Sequence, residues 1–289
     1  RDYLRYACTR FADSSLYFGH GTDNVWDEAV QLVMRSLQLP LENNTVFLDA
    51  RLTREERSLV IERIERRVSE RVPLAYLLGE AWFMGMPFHV DERVLVPRSP
   101  LGELLENELQ PWLGDRPVNR VLDLCTGSGC IGIGAAHVFQ DATVDLSDIS
   151  GDAIAVANEN IRMHELSGRV SAIQSDLFAG LQGRYDVILS NPPYVDAEDM
   201  ADMPDEYRHE PALGLEAGKD GLEIAHRILA DAADYLTDDG LLIVEVGNSQ
   251  AALEQAYPEL PFTWLEFSQG GHGVFLLFAQ DLKSWRSSQ

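Results

Sequence analysis

The chain has 289 residues, 45% of them apolar and 24% charged, which suits one large or two ordinary globular domains. Its 47 acidic residues against 23 basic ones give a net charge of −24, a surface that repels nucleic-acid phosphate and disfavours a free DNA or RNA duplex as partner. Three cysteines (Cys8, Cys125, Cys130) cannot build a disulfide framework, no apolar run is long enough to cross a bilayer, and the opening stretch RDYLRYACTRF has no signal-peptide core. The expectation is a cytoplasmic protein with structural thiols and no membrane partner.

Residues 1–79 show helical periodicity without strand alternation, predicting a small helical bundle. Thr53 and Glu56 form a capping box, and Leu59, Val60, Ile64 and Val68 make one apolar stripe behind it. Arg57, Arg63, Arg66 and Arg67, interspersed with Glu55, Glu62 and Glu65, read as a solvated face. Residues 80–97 change character, with aromatic and β-branched residues around Gly85-Met86-Pro87 and Asp91-Glu92-Arg93. They predict a short hairpin linking two domains.

From residue 98 to 289 strand and helix alternate, the signature of an open, mostly parallel α/β sheet. Strands are predicted over 120–124, 143–146, 170–174, 185–189 and 241–246, and helices over 131–138, 152–163 and 222–235. Two late β-rich runs, 262–267 and 273–278, flank SQGGHG and suit an antiparallel pair that closes the sheet.

Four strand ends carry polar or glycine-rich residues. After the first, Asp123 precedes Thr126-Gly127-Ser128-Gly129, where glycines let backbone approach a ligand beyond the carboxyl edge of the sheet. The spacing is neither G-x-G-x-x-G nor a P-loop. It resembles motif I of the class I S-adenosylmethionine-dependent methyltransferases. Asp148 sits at or just past the second strand end, where a carboxylate can accept both hydroxyls of a ribose; it could equally cap the helix near Asp152, and Asp145 takes the role if the register shifts. After the third strand come Asp176 and Leu177. In methyltransferases of this layout an acid there faces the adenine amino group and an apolar neighbour packs on the ring.

The fourth strand runs into Asn191-Pro192-Pro193-Tyr194. Two prolines fix φ and remove two backbone donors, leaving nearby carbonyls free to accept. The Asn191 side-chain oxygen and the Pro192 carbonyl can then take both hydrogens of a planar –NH₂, with Tyr194 packed over it. Such a nitrogen needs orientation more than a general base. Adenine N6 and the glutamine side-chain amide share this group, and the motif alone does not separate them; the acidic charge favours glutamine. Between Val195 and Glu245, 15 acidic residues stand against Arg208, Lys219 and Arg227, a net of −12 that is half of the whole excess. This is either a solvated surface or a rim that draws a basic partner.

DLCTGSGC together with NPPY resembles the protein N5-glutamine methyltransferase family. LVPRSPLGE (95–103), YFGHGTDNVWDEAVQLV (17–33), YVDAEDM (194–200), EYRHEPALGL (206–215) and EVGNS (245–249) are similar to its ribosomal-protein branch rather than its release-factor branch. The resemblance covers about residues 2–280. It implies a seven-stranded Rossmann-like fold with a helical substrate-recognition domain, S-adenosylmethionine as methyl donor with no metal, and as substrate a glutamine on the basic large-subunit ribosomal protein 3. Asp123, Thr126, Gly127 and Gly129 match the cofactor loop, Asp148 the ribose carboxylate, and Asn191 to Tyr194 the amide clamp, with Asn191 also beside the cofactor. Arg98, Glu210 and Pro211 match family positions on the substrate side, although Glu210-Pro211 also suits a structural turn. Leu177 departs from the release-factor branch, which has Trp there, so adenine packing would differ. His20, His89, His209 and His272 suggest no metal site and read as surface or hydrogen-bonded residues.

Overall fold

The protein is described by a computed structural model covering residues 1–42, 47–218, 220–268 and 270–288; Lys219 of the acidic segment and Gln269 of the glycine-rich turn lie outside the described residues. Four helices come first: α1 (Asp2–Ala12), α2 (Val25–Ser36), α3 (Arg54–Ser69) and α4 (Leu74–Leu78). They enclose a core that includes Phe11, Leu32, Val60, Ile64 and Leu74. The capping box forms as expected, with the Thr53 and Glu56 side chains each accepting the other's backbone N–H.

The solvated-face reading fails at Arg67, which is 1% exposed. Its Nε donates to Glu28 at 2.5 Å, its Nη1 to Glu206 at 3.1 Å and its Nη2 to the Tyr17 carbonyl at 2.7 Å. A guanidinium can be buried when its fork is filled this completely. Its second carboxylate comes from 139 residues away, so no local pattern around α3 announces it.

Strands β1 (Glu80–Phe83) and β2 (Met86–His89) pair antiparallel around Met84 and Gly85. Both turn residues have positive φ, 49° and 68°, as a two-residue type I′ turn requires. The hairpin is fastened to the rest by Asn160, which is fully buried. Its Oδ1 accepts from His89 N–H at 2.7 Å, and its Nδ2 donates to the His89 and Ser128 carbonyls at 3.0 and 2.8 Å. Asn160→Leu strands all three backbone groups and should lower stability by about 2–3 kcal/mol in urea unfolding; no loss would show that the hairpin is held by packing alone.

The remainder is α5 (Leu101–Glu106), β3 (Arg120–Leu124), α6 (Cys130–Val138), β4 (Thr143–Asp148), α7 (Gly151–Met163), β5 (Val170–Gln174), β6 (Tyr185–Ser190), α8 (Ala197–Asp202), α9 (Glu223–Tyr235), β7 (Leu236–Glu245), α10 (Gln250–Ala256), β8 (Thr263–Trp264), β9 (Val274–Phe278) and α11 (Ala279–Ser287). The seven strands β3 to β9 run in the order β5-β4-β3-β6-β7-β9-β8, parallel except for β9, which is antiparallel to both neighbours. Apolar residues on both faces of β3, β6 and β7 separate two cores, one including α5, α6 and part of α7, the other α9 and α11.

Two predicted strands differ in extent. β7 begins at Leu236 rather than 241: Leu236 pairs with Tyr185, and a register shift before Val187 absorbs Asp238-Asp239-Gly240. β8 spans two residues, not six, because only Thr263 and Trp264 find partners on β9. Among the described residues, no helix is long and apolar enough to cross a membrane.

Candidate active site

The sheet changes direction at β3. The chain goes outward to β4 and β5 on one side, then returns to β6 on the other, so β3 and β6 end side by side, with Leu124 opposite Ser190. This switch point leaves a crevice beyond the carboxyl ends of the strands. A cleft of about 400 Å³ lies there, and Thr126, Gly127, Asp148, Asp176, Leu177, Arg98, Pro211 and Asn191 to Tyr194 all line it. Asp123, Gly129 and Glu210 stand behind its wall.

Asp123 organises the loop after β3 from beneath. It is fully buried, and its Oδ2 accepts from Thr126 Oγ1 at 2.5 Å and from Gly132 N–H at 2.8 Å. Its Oδ1 has no hydrogen-bond partner among the described residues. Burial pushes the Asp123 carboxyl up to about 7 against those two bonds, with the Asp148 charge adding to the rise. Gly127 has φ +55°, and a Cβ there would meet nothing within 4 Å, so the loop opens straight onto the cleft. Gly129 (φ +84°) caps α6 in a left-handed conformation, and its Cβ would press to 3.0 Å from Leu146. Burial drives the neighbouring Cys125 and Cys130 thiols upward, the latter to about 12, which favours the protonated form of both.

Asp148 is the last residue of β4, and backbone fixes its carboxylate. Gly127 N–H donates to Oδ2 and Ser150 N–H to Oδ1, each at 2.9 Å. The capping role belongs to Ser150, whose hydroxyl accepts from Ala153 N–H. Asp145 is not at the cleft; it binds Arg120 and the Tyr185 hydroxyl. Asp176 is paired with Arg227 at 2.7 Å, an exposed contact with no signal in the local sequence pattern. Leu177 adopts φ +48° and is buried in the cleft wall.

The loop after β6 is clamped from several sides. Val195 N–H donates to Leu215 O at 2.9 Å, and Ala217 N–H donates to Val195 O at 3.0 Å. The Tyr194 hydroxyl donates to Glu245 Oε1 at 2.9 Å, while Ser99 donates to Glu245 Oε2 at 2.6 Å. Burial, then the Glu245 charge, drives the Tyr194 phenol upward, so it remains a donor. The Tyr194 ring lies on Gly247, where a Cβ would come within 2.6 Å. Within this tight frame the Asn191 amide and the Pro192 carbonyl stay free of hydrogen bonds to the described residues. A planar –NH₂ brought to the loop finds two unoccupied acceptors held in place by backbone.

Arg98 and Glu210 meet on the far wall, at 2.5 and 2.7 Å through both nitrogen–oxygen pairs. Glu210 is buried, also accepts from Val96 N–H at 2.9 Å, and faces inward onto Arg98 rather than into the cleft. Burial alone would raise its pKa, but His20 and Arg98 hold it down to about 2. A carboxylate depressed below its ordinary 4.5 stabilises the fold above that pH, and the contribution disappears as pH falls towards 2. Acid titration of the wild type should therefore show a loss of stability in that window, and Glu210→Gln should be less stable at neutral pH and flatter through it. Parallel curves for the two would exclude the pair as the cause. His20 is neither a surface residue nor hydrogen-bonded: it is 7% exposed, and its Nε2 lies 3.7 Å from Glu210.

Sequence reasoning missed Glu245, Ser99, Asn160 and Arg227. Glu245 had a signal, since it ends the strand next to β6 on the same edge. Asn160 and Arg227 had none, being polar residues within amphipathic helices.

A switch-point cleft with a glycine loop after β3, a carboxylate ending β4 and NPPY after β6 defines a class I S-adenosylmethionine-dependent methyltransferase fold. The family model described as "Methyltransferase small domain" matches residues 103–204. The crystal structure of the hMettl16 catalytic domain in complex with the MAT2A 3'UTR hairpin 6 superposes with a TM-score of 0.53 at 18% identity, over 80% of this chain and 84% of that one, which is a likeness of fold. Ribosomal protein uL3 glutamine methyltransferase of Francisella tularensis subsp. tularensis is 51% identical over 100% of this chain and 92% of that protein. The protein of the same name from Neisseria gonorrhoeae is 51% identical over 98% and 95%. The chain belongs to the ribosomal protein uL3 glutamine methyltransferase family.

Proposed function

We propose that this protein transfers a methyl group from S-adenosylmethionine to the side-chain amide nitrogen (N5) of a glutamine in ribosomal protein uL3. The full-length 51% identity to enzymes of that name carries the reading, and the free acceptors at Asn191 and Pro192 supply its chemistry.

The residues fit the cofactor. The space over Gly127 admits a ligand against bare backbone, and each Asp148 oxygen keeps a lone pair for a ribose hydroxyl after accepting its backbone N–H. Asp123, Thr126 and Gly129 hold that loop, while Asp176 and Leu177 border the adenine end. Bound there, S-adenosylmethionine supplies a methyl carbon activated by its sulfonium. Asn191 Oδ1 and the Pro192 carbonyl grip the two amide hydrogens of the glutamine, Pro193 keeps the turn, and Tyr194, held by Glu245, packs over the plane. Held this way, the glutamine nitrogen would be directed at that methyl carbon, and the product sulfur would leave as neutral S-adenosylhomocysteine. The positive charge gained by nitrogen faces the two carbonyls, and one proton passes to water. No metal takes part in this account.

Arg98 and Pro211 border the substrate side, with Glu210 acting through Arg98. Residues 1–79 select the substrate, 80–97 link, and 98–289 perform the transfer in the cytoplasm. The acidic segment 195–245 attracts a basic ribosomal protein, either free or during ribosome assembly, and repels free nucleic acid. Mass spectrometry of uL3 after incubation with enzyme and cofactor should find one glutamine heavier by a methyl group. Label from tritiated cofactor entering nucleic acid instead of protein would refute the reading.

A further inference from the structure

A second cavity, of about 270 Å³, opens between the helices and the hairpin, and Val96 and Pro97 line both it and the main cleft. Its apolar floor includes Leu74, Ala75 and Leu78 of α4. Two buried polar groups on its wall lack hydrogen-bond partners: both ring nitrogens of His20 and the Nε of Arg35. Buried donors and acceptors are seldom left unpaired in a folded protein, so their presence marks a place where something else pairs with them. A water occupies about 30 Å³ of liquid volume, and this cavity has room for a whole amino-acid side chain.

The lining also specifies the occupant. Arg35 Nη1 is paired with Glu80 at 2.6 Å, so the two charges cancel and leave no net charge to attract an ion. What remains is a donor at Arg35 Nε, the Nδ1 of His20 (its Nε2 is turned towards Glu210 at 3.7 Å), and the amide of Gln31, which bonds to none of the described residues. Trp82, stacked beneath the Arg35 guanidinium at 4.5 Å, adds a flat aromatic wall. A neutral planar group with one carbonyl and one N–H matches this set: an amide. His20 also reaches towards the main cleft, since its ring packs on Tyr207, which lines that cleft, at 4.6 Å between centroids.

We propose that this cavity seats an amide-bearing residue of the substrate polypeptide, close in sequence to the glutamine held at Asn191, and so selects which glutamine is presented. The inference rests on the methyl-transfer reading above and adds a specificity subsite to it. Gln31 is half-buried and contributes no hydrogen bond to the described fold, so Gln31→Trp obstructs the cavity without removing a bond that the fold uses. With full-length uL3, this variant should raise KM about tenfold while kcat and S-adenosylhomocysteine affinity change by less than about twofold. A photo-crosslinker, p-benzoylphenylalanine placed at Gln31, should attach to uL3 within a few residues of the methylated glutamine when S-adenosylhomocysteine is present. An unchanged KM in Gln31→Trp, or crosslinks absent or remote from that glutamine, would overturn the subsite. A wild-type enzyme that leaves uL3 unmethylated would defeat the functional reading separately, and the crosslink would still decide the subsite according to whether uL3 attaches at all.

Discussion

Asn191→Ala is expected to slow methyl transfer by about two orders of magnitude, the scale of losing one aligned polar contact to the reacting group, with cofactor affinity within about twofold of wild type. The effect should fall on chemistry because the Asn191 side chain bonds to none of the described residues: the loop is held by Val195, Tyr194 and Ser190 through their own hydrogen bonds. Removing the amide therefore leaves the Pro192 carbonyl in place and deletes one of the two acceptors. The glutamine nitrogen then rotates more freely, and its lone pair spends less time in line with the methyl carbon. Single-turnover rates, calorimetric cofactor titration and thermal melting separate the contributions. A variant with wild-type turnover would remove the clamp from the mechanism, whereas one with a lowered melting temperature and weak cofactor binding would show that the residue is structural.

Arg67→Ala should be the most destabilising single change away from the cleft, costing about 3–5 kcal/mol in urea unfolding. Arg67 and Glu206 are 1% and 2% exposed, and Glu28 is 3% exposed, so the truncation leaves Glu28 buried without its cation and Glu206 with only the more distant Arg71, 3.7 Å away. The wild-type Glu206 carboxyl is held below its ordinary range: burial opposes this, but the Tyr17 N–H and Arg67 outweigh it. Without Arg67 the effect of burial prevails at Glu206, its carboxyl takes up a proton more readily, and the deficit should narrow as pH falls from about 7 to about 5. Adding Glu28→Gln and Glu206→Gln to Arg67→Ala should recover part of the loss. A deficit independent of pH and of those substitutions would mean that Arg67 acts by its alkyl packing rather than by its charge. The network joins α2 and α3 to residues 205–210, which lead directly to Glu210 and the Arg98 wall of the cleft. Its loss should therefore also raise KM for the protein substrate.

The sequence by itself determined the architecture and the strand ends. Period-two and period-3.6 hydrophobic patterns are local properties, and they located β3 to β6 and the helices α6, α7 and α9 to within about two residues. It also marked Asp123, Gly127, Asp148 and Asn191, because polar or glycine residues that terminate buried strands break the pattern in a visible way. The late elements were less legible: β8 depends on what β9 can pair with, and α10 and α11 follow strand ends without a distinctive pattern. Only the tertiary structure decided which side chains share a carboxylate or a cavity. Arg67 reads as surface along α3, yet it is buried because Glu206 arrives from the other end of the chain. Glu210 reads equally as a substrate contact or as part of a structural turn, and only the fold shows its carboxylate received by Arg98 and the Val96 N–H. Asn160 resembles any helical asparagine until β2 lays its backbone against it. A hydrophobic period is set by neighbours in sequence, whereas the satisfaction of a buried charge or amide is set by neighbours in space, and the chain does not write those down in order.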